Sequence, residues 1–332
     1  MQLNAFSSYD EPLGPRSGRY FGSGYKNVAQ DMFELEITRS TEPGAKHSAV
    51  GRLSYPADWS TKKHRELVPH VSSIDTVMLA VSLCDAAISH TRNLSADQSA
   101  HMLVRHTSVR AGTTPHENLD RIPVDVEVVS VVAAEDAEDG ELETTFRFQV
   151  GNLAGTLTMA HPAGSSATAS QEVDRLGHIS DIYGTVPHYF LNGLKNHTLS
   201  ASDLTVNDDV TRITGKHWIA AGDNDAYAGA ESAYWDTVSP IDAIIGAAQL
   251  SQILLYKLDH LDRSNSNTLW MRKLELVTVA RHPAQQSFEG TMEIRRTSVV
   301  ERGGKRWRSA DILLKEFAGA TGSCLLAHQL PD

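Results

Sequence analysis

Ser72–His90 reads SSIDTVMLAVSLCDAAISH, and Ser239–Tyr256 reads SPIDAIIGAAQLSQILLY. Both open on Ser-x-Ile-Asp and continue as long apolar runs. In the first, Ile74, Val77, Met78, Leu79, Val81, Leu83 and Ala87 point in almost every direction around a helix axis. In the second, Ile241, Ile244, Ile245, Ala248, Leu250, Ile253, Leu254 and Leu255 do the same. A helix that is apolar all round is a buried helix. Neither run reads as long or clean enough to span a membrane, so each is expected to be a core helix. Ser72 and Ser239 are natural N-caps. Asp75 and Asp242, three residues on, complete capping boxes with Asp in the usual Glu or Gln position. Pro240 stands at the first helical position, where a missing N–H costs nothing.

The two runs belong to a repeat. Asp75 and Asp242 are 167 residues apart, as are Arg105 and Arg272, Gly155 and Gly322, and His161 and His328. Near the front, Tyr20, Phe21, Gly24, Lys26 and Asn27 answer Tyr189, Phe190, Gly193, Lys195 and Asn196 at an offset of 169. So many identities in one order imply a tandem duplication, with halves at 1–165 and 166–332 around the small polar stretch PAGSSATAS. Each half offers two strands before its helix, near 33–38 and 50–55 or 204–207 and 212–220. Four β-branched runs follow it, at 102–110, 124–133, 143–150 and 155–161, or 269–280, 290–300, 308–317 and 322–328. The expected fold is α+β: a curved antiparallel sheet wrapped round one helix, twice over. That is a double hot-dog.

With 30 Lys and Arg against 41 Asp and Glu, the net charge is −11, which argues against a nucleic-acid surface. Two cysteines, Cys84 and Cys324, make no disulfide framework, and the N-terminus lacks a signal pattern. A soluble cytoplasmic protein is expected, not held at a membrane; a homodimer stays open.

The segment LGPRSGRYFGSGY, the SSIDTVMLAVSLCDAAI helix and the chain length resemble the avirulence D (AvrD) family. The resemblance implies synthesis of acyl glycolipids of the syringolide type from a β-ketoacyl chain and a ketopentose. The arrangement is also similar to the AfsA-type butyrolactone synthases, double hot-dog proteins that join a β-ketoacyl thioester to a hydroxyketone phosphate. The expectation is therefore an acyl-transfer or condensation enzyme giving a butenolide-like product. Its substrates would be a small sugar and an acyl group carried on coenzyme A or an acyl carrier protein, with no further cofactor. The alternatives are a hot-dog dehydratase or thioesterase, or an acyl-binding module without activity.

Catalytic candidates follow from the helix starts. An acid there could act as base beside amides that polarise a thioester carbonyl, so Asp75 and Asp242 are weighed against plain capping. His70, just ahead of Ser72, corresponds to Thr237 and is a candidate base, against a solvent-facing loop histidine. Ser72, Arg105, Arg272, Arg16, Arg19 and Tyr20 are the candidate substrate contacts. The paired arginines would otherwise form ion pairs with the two aspartates. The Gly-Ser-Gly run is no phosphate loop, the histidines lack ligand spacing and no metal is expected, and no Gly-x-Ser-x-Gly elbow is present. Finally, Glu135, Glu138, Asp139 and Glu141 align with Arg302, Lys305, Arg306 and Arg308. The sign inverts four times, which suggests carrier docking on the basic tip against two solvated hairpins.

Overall fold

The computed structural model describes residues 4–57, 59–60, 67–134, 140–165, 170–222 and 226–331. The acidic tip residues Glu135, Glu138 and Asp139 lie outside the described residues. The long helices are Ser73–Thr91 and Pro240–Leu258, with complete capping boxes at Ser72/Asp75 and Ser239/Asp242. Each is 19 residues long and apolar enough to cross a membrane by length and composition, contrary to the expectation from the sequence. Burial decides their place instead: 94% and 78% of their apolar windows lie inside the protein.

The first set of strands is β1 (Ala5–Phe6), β2 (Ala29–Thr38), β3 (Lys46–Ser54), β4 (Leu103–Arg110), β5 (Ile122–Ala133), β6 (Glu141–Val150) and β7 (Leu153–Pro162). The second is β8 (Val173–His178), β9 (Thr198–Val206), β10 (Arg212–Ala220), β11 (Leu269–Thr278), β12 (Phe288–Arg302), β13 (Lys305–Phe317) and β14 (Ala320–Gln329). Alternating burial along β3 and β10 turns one face of each toward a helix, as period-two patterning requires. Among the described residues, fourteen strands form one antiparallel sheet in the order β1-β9-β10-β12-β13-β14-β11-β4-β7-β6-β5-β3-β2-β8. A large antiparallel sheet with few helices fits a hot-dog fold.

The order reads alike from either end, with β11 and β4 meeting at the middle. There Ser108 faces Glu275, and Thr107 and Val109 face Leu276 and Leu274. Backbone detail repeats as well. Left-handed residues occur at Glu34 and Asp203, Asn93 and His260, and Gly151 and Ala318. Gly155 and Gly322 both run under a carbonyl: a Cβ there would lie 1.8 Å from Ser108 O and 2.1 Å from Glu275 O.

Two features were not read from the sequence. The lead segments cross over, β1 pairing with β9 and β8 with β2. A buried polar cluster also bridges the halves. In it, His188 Nε2 lies 2.8 Å from Asp85 Oδ2, the Tyr183 hydroxyl donates to Asp85 Oδ1 at 2.6 Å and the Ala230 N–H donates to Oδ2 at 2.8 Å. A carboxylate inside an apolar helix needs such partners.

Candidate active site at the first helix N-terminus

The capping boxes look alike but differ in surroundings. Asp75 is fully buried and accepts from the Ser72 N–H at 3.1 Å, the Ser72 hydroxyl at 2.6 Å, the Tyr20 hydroxyl at 3.3 Å, the Tyr55 hydroxyl and Gln30 Nε2 at 2.9 Å. Every donor is neutral. Burial, and then the Asp75 charge, push both tyrosine hydroxyls well above their ordinary pKa. Lys195 shares this neighbourhood, and burial lowers it to about 8 against the pull of Asp75.

Asp242 instead takes His197, whose Nδ1 lies 2.7 Å from Asp242 Oδ2 while Nε2 lies 2.7 Å from the Trp235 carbonyl. Both neighbours are acceptors, so both ring nitrogens donate and the ring is an imidazolium. Burial alone would lower the His197 pKa, but the carboxylate and the carbonyl outweigh it and the net shift is upward.

The second helix start is sealed. Ser239 and Pro240 are buried, and Thr237, the counterpart of His70, donates to the Tyr234 carbonyl at 2.8 Å. Glu231, fully buried, stands on a left-handed backbone (φ 65°). It accepts the Val104 N–H at 2.9 Å and pairs with Arg281, over which Tyr234 lies.

The first helix start is open. Val71, Ser72 and Ser73 line a cleft of about 1010 Å³ that reaches across to β11, to the β12–β13 hairpin and to Gln252 and Tyr256 of the second helix. Its apolar walls include Phe21, Trp59, Leu153, Trp270, Met271 and Trp307. First-turn N–H groups lack intrahelical acceptors, so the positive end of the helix faces this space. His70 stands at the mouth, its ring 5.5 Å from that of Trp270. Nδ1 lies 3.0 Å from the Val68 carbonyl, which can only accept. Nδ1 is therefore the donor, so in the neutral ring the lone pair belongs to Nε2.

The family model described as Pseudomonas avirulence D protein (AvrD) matches residues 4–331. The chain belongs to the AvrD family. No curated protein matches this AvrD sequence. Solved structures with a similar course include the tesB protein of Mycobacterium avium subsp. paratuberculosis, at 12% identity and TM-score 0.37, covering 86% of this chain and 93% of the other. The 12:0-ACP thioesterase of Umbellularia californica has 10% identity and TM-score 0.38, covering 91% and 97%. An acyl-ACP thioesterase of Bacteroides thetaiotaomicron has 11% identity and TM-score 0.33, covering 92% and 99%. Likenesses this weak carry nothing about chemistry.

The AvrD cleft gathers many of the residues picked from the sequence, and corrects several. His70, Ser72, Tyr20, Arg19, Arg272, Arg302, Lys305 and Arg308 line it; Arg16, Arg105 and Arg306 do not. Asp75 sits just beneath Ser72, accepts from four residues and does not line the cleft, so it braces the site. Asp242 lies under the sealed helix start.

Arg105 and Arg272 form no ion pair with either aspartate, because each falls on a β-bulge, between Val104 and His106 or between Met271 and Lys273. Arg272 donates to the Gly112 carbonyl at 2.9 Å. Arg19 is a buried tie rather than a free anion binder: it pairs with Asp10 and donates to Gln249 Oε1 at 2.6 Å. Its counterpart His188 reaches the first helix in the same way. Arg308 is held by Asp259, which also meets His328 Nε2 at 2.9 Å, so it is not a docking cation.

Proposed function

We propose that the chain is two hot-dog repeats in tandem, divided near 165, and that only the first helix start is an active site. There the protein transfers a β-ketoacyl group from a thioester to a hydroxyl of a small sugar or hydroxyketone. The observation that carries this reading is the contrast between the helix starts: at one Ser239 and Pro240 are buried and Thr237 is turned to the Tyr234 carbonyl, while the other opens into a large, mainly apolar cleft beside the His70 imidazole.

The chemistry follows from the parts. The acyl chain lies along the aromatic wall and the thioester carbonyl oxygen meets the first-turn N–H groups, which stabilise negative charge as it develops. His70 Nε2 takes the proton of the acceptor hydroxyl as that oxygen attacks the carbonyl carbon. The carbon–sulfur bond breaks, and the thiolate leaves with the proton that His70 received. An ester and a free thiol result. Asp75, Tyr20 and Tyr55 fix Ser72 and hence the helix start. Closure of the ester product to a butenolide would follow transfer.

Incubation with a β-ketoacyl N-acetylcysteamine thioester and candidate ketoses, read by mass spectrometry, tests the reading. Acyl sugar supports it. Free acid or an enoyl product would replace it with a thioesterase or dehydratase, and tight binding without turnover with an acyl-binding module.

A further inference from the structure

The β12–β13 hairpin turns on Gly303 and Gly304, with φ of 60° and 70°. Two positive values in a two-residue loop make a type I′ turn, which fixes the register of the flanking strands. Arg302 is thereby set directly opposite Lys305. Like charges facing each other across a ladder repel, yet neither side chain has an ion pair or hydrogen bond among the described residues. Of the other cations of the same hairpin, Arg295, Arg308 and Lys315 are paired with Asp311, Asp259 and Glu293, while Arg296 and Arg306, which have no ion pair among the described residues, do not line the cleft. The doublet is exposed and lies on the cleft rim, beside Val300 and Trp307, in a chain whose net charge is −11. A turn that forces two unneutralised cations together at the mouth of a cleft is suited to a ligand that carries phosphate at that point along its length.

We propose that Arg302 and Lys305 form a phosphate subsite for the phosphopantetheine arm of the acyl donor. The inference rests on the acyl-thioester reading above and adds to it the group that is gripped. That phosphate is common to coenzyme A and to carrier-protein thioesters. The arm would run from the rim, past Trp307 and Trp270, and deliver sulfur and carbonyl to the helix start.

Binding of non-transferable thioether analogues to the full chain tests it, followed by tryptophan fluorescence because Trp59, Trp270 and Trp307 line the cleft. The acyl-4′-phosphopantetheine analogue should bind at least about 10-fold tighter than its dephosphorylated twin, an advantage that salt diminishes. The double variant Arg302→Gln/Lys305→Gln should melt as the parent does, lose that advantage and bind the dephosphorylated twin unchanged. An advantage that is absent, or that survives in the variant, overturns the subsite while leaving acyl binding intact. Failure of both analogues to bind removes the acyl reading as well. Competition by coenzyme A against competition by a phosphopantetheinylated carrier identifies the source. Whichever competes must do so more weakly against the double variant, or the subsite is wrong.

Discussion

Gln30 and His197 stand 167 residues apart and each bonds a helix-capping aspartate, Gln30 as a neutral amide on Asp75 Oδ1 and His197 as an imidazolium on Asp242 Oδ2. The raised pKa of His197 gives a signed expectation. Its folded value lies above that of the unfolded chain, so its contribution is complete below about pH 6.5 and fades as pH rises through the folded value. His197→Gln, which installs the residue of the first half, should cost about 2 kcal/mol at pH 6. Denaturant melts of parent and variant should converge at higher pH. A gap that widens with pH would contradict the charged pair.

Asp75 and Asp242 separate capping from catalysis. Asp242→Asn breaks a buried ion pair and should cost about 3 kcal/mol or more. Asp75→Asn faces neutral donors and should cost about 2 kcal/mol. Turnover measured on folded protein should fall only for Asp75→Asn, because only Ser72 borders the cleft. Equal loss of turnover in both would place chemistry at the sealed end too.

His70 makes one contact with a backbone carbonyl and is partly exposed. His70→Ala should shift the melting temperature little and lower turnover by about 100-fold or more, in the range of a lost general base. A variant that keeps its rate would leave the imidazole as an ordinary loop residue.

Gly155 and Gly322 test the strand pairs that flank the β4–β11 seam, β7 on β4 and β14 on β11. Alanine at either position puts a Cβ about 2 Å from a backbone carbonyl, so strands must move apart. Each substitution should cost about 3 kcal/mol, and the two costs should be similar. A tolerated alanine at one site would show that the two flanking pairs are less alike than their register.

His217 is fully buried among Phe288 and Phe317, and burial lowers it to about 4 from 6.5. The unfolded chain binds more protons between those values. Stability is therefore intact above about 6.5 and falls as pH drops toward 4, by on the order of 3 kcal/mol from this residue. His217→Phe should flatten that acid slope in urea melts. An unchanged slope would assign it to His47 and His161, which burial also holds near 4.

The long helices, the capping boxes and twelve strands were legible because local signals and the repeat agreed. β1 and β8 were not: two and six residues without a clean apolar alternation carry no strand signal, and only tertiary pairing makes them strands. The arginines at 105 and 272 were correctly paired with each other but given the wrong partners, since a bulge redirects a side chain in a way that spacing does not encode. Tyr55 and Gln30 were missed beside Asp75. Asp85 could have been found: a carboxylate on a helix apolar all round must meet a partner, and the nearest histidine in the chain, His90, is not the one it meets. The closure of the second helix start was not legible, because the burial of Ser239 and Pro240 is set by tertiary packing.

The crossed lead segments carry a consequence for inheritance and assembly. Ala5–Phe6 forms one edge of the sheet, on β9 of the later repeat, and Val173–His178 forms the other edge, on β2 of the earlier one. Arg19 and His188 then clasp the opposite helix. Each half thus wears the other's border. A half expressed alone would expose a raw strand edge and an unpaired Asp85 or Gln249, whereas two halves supplied in trans could restore both. The exchange makes the two parts of the chain interdependent.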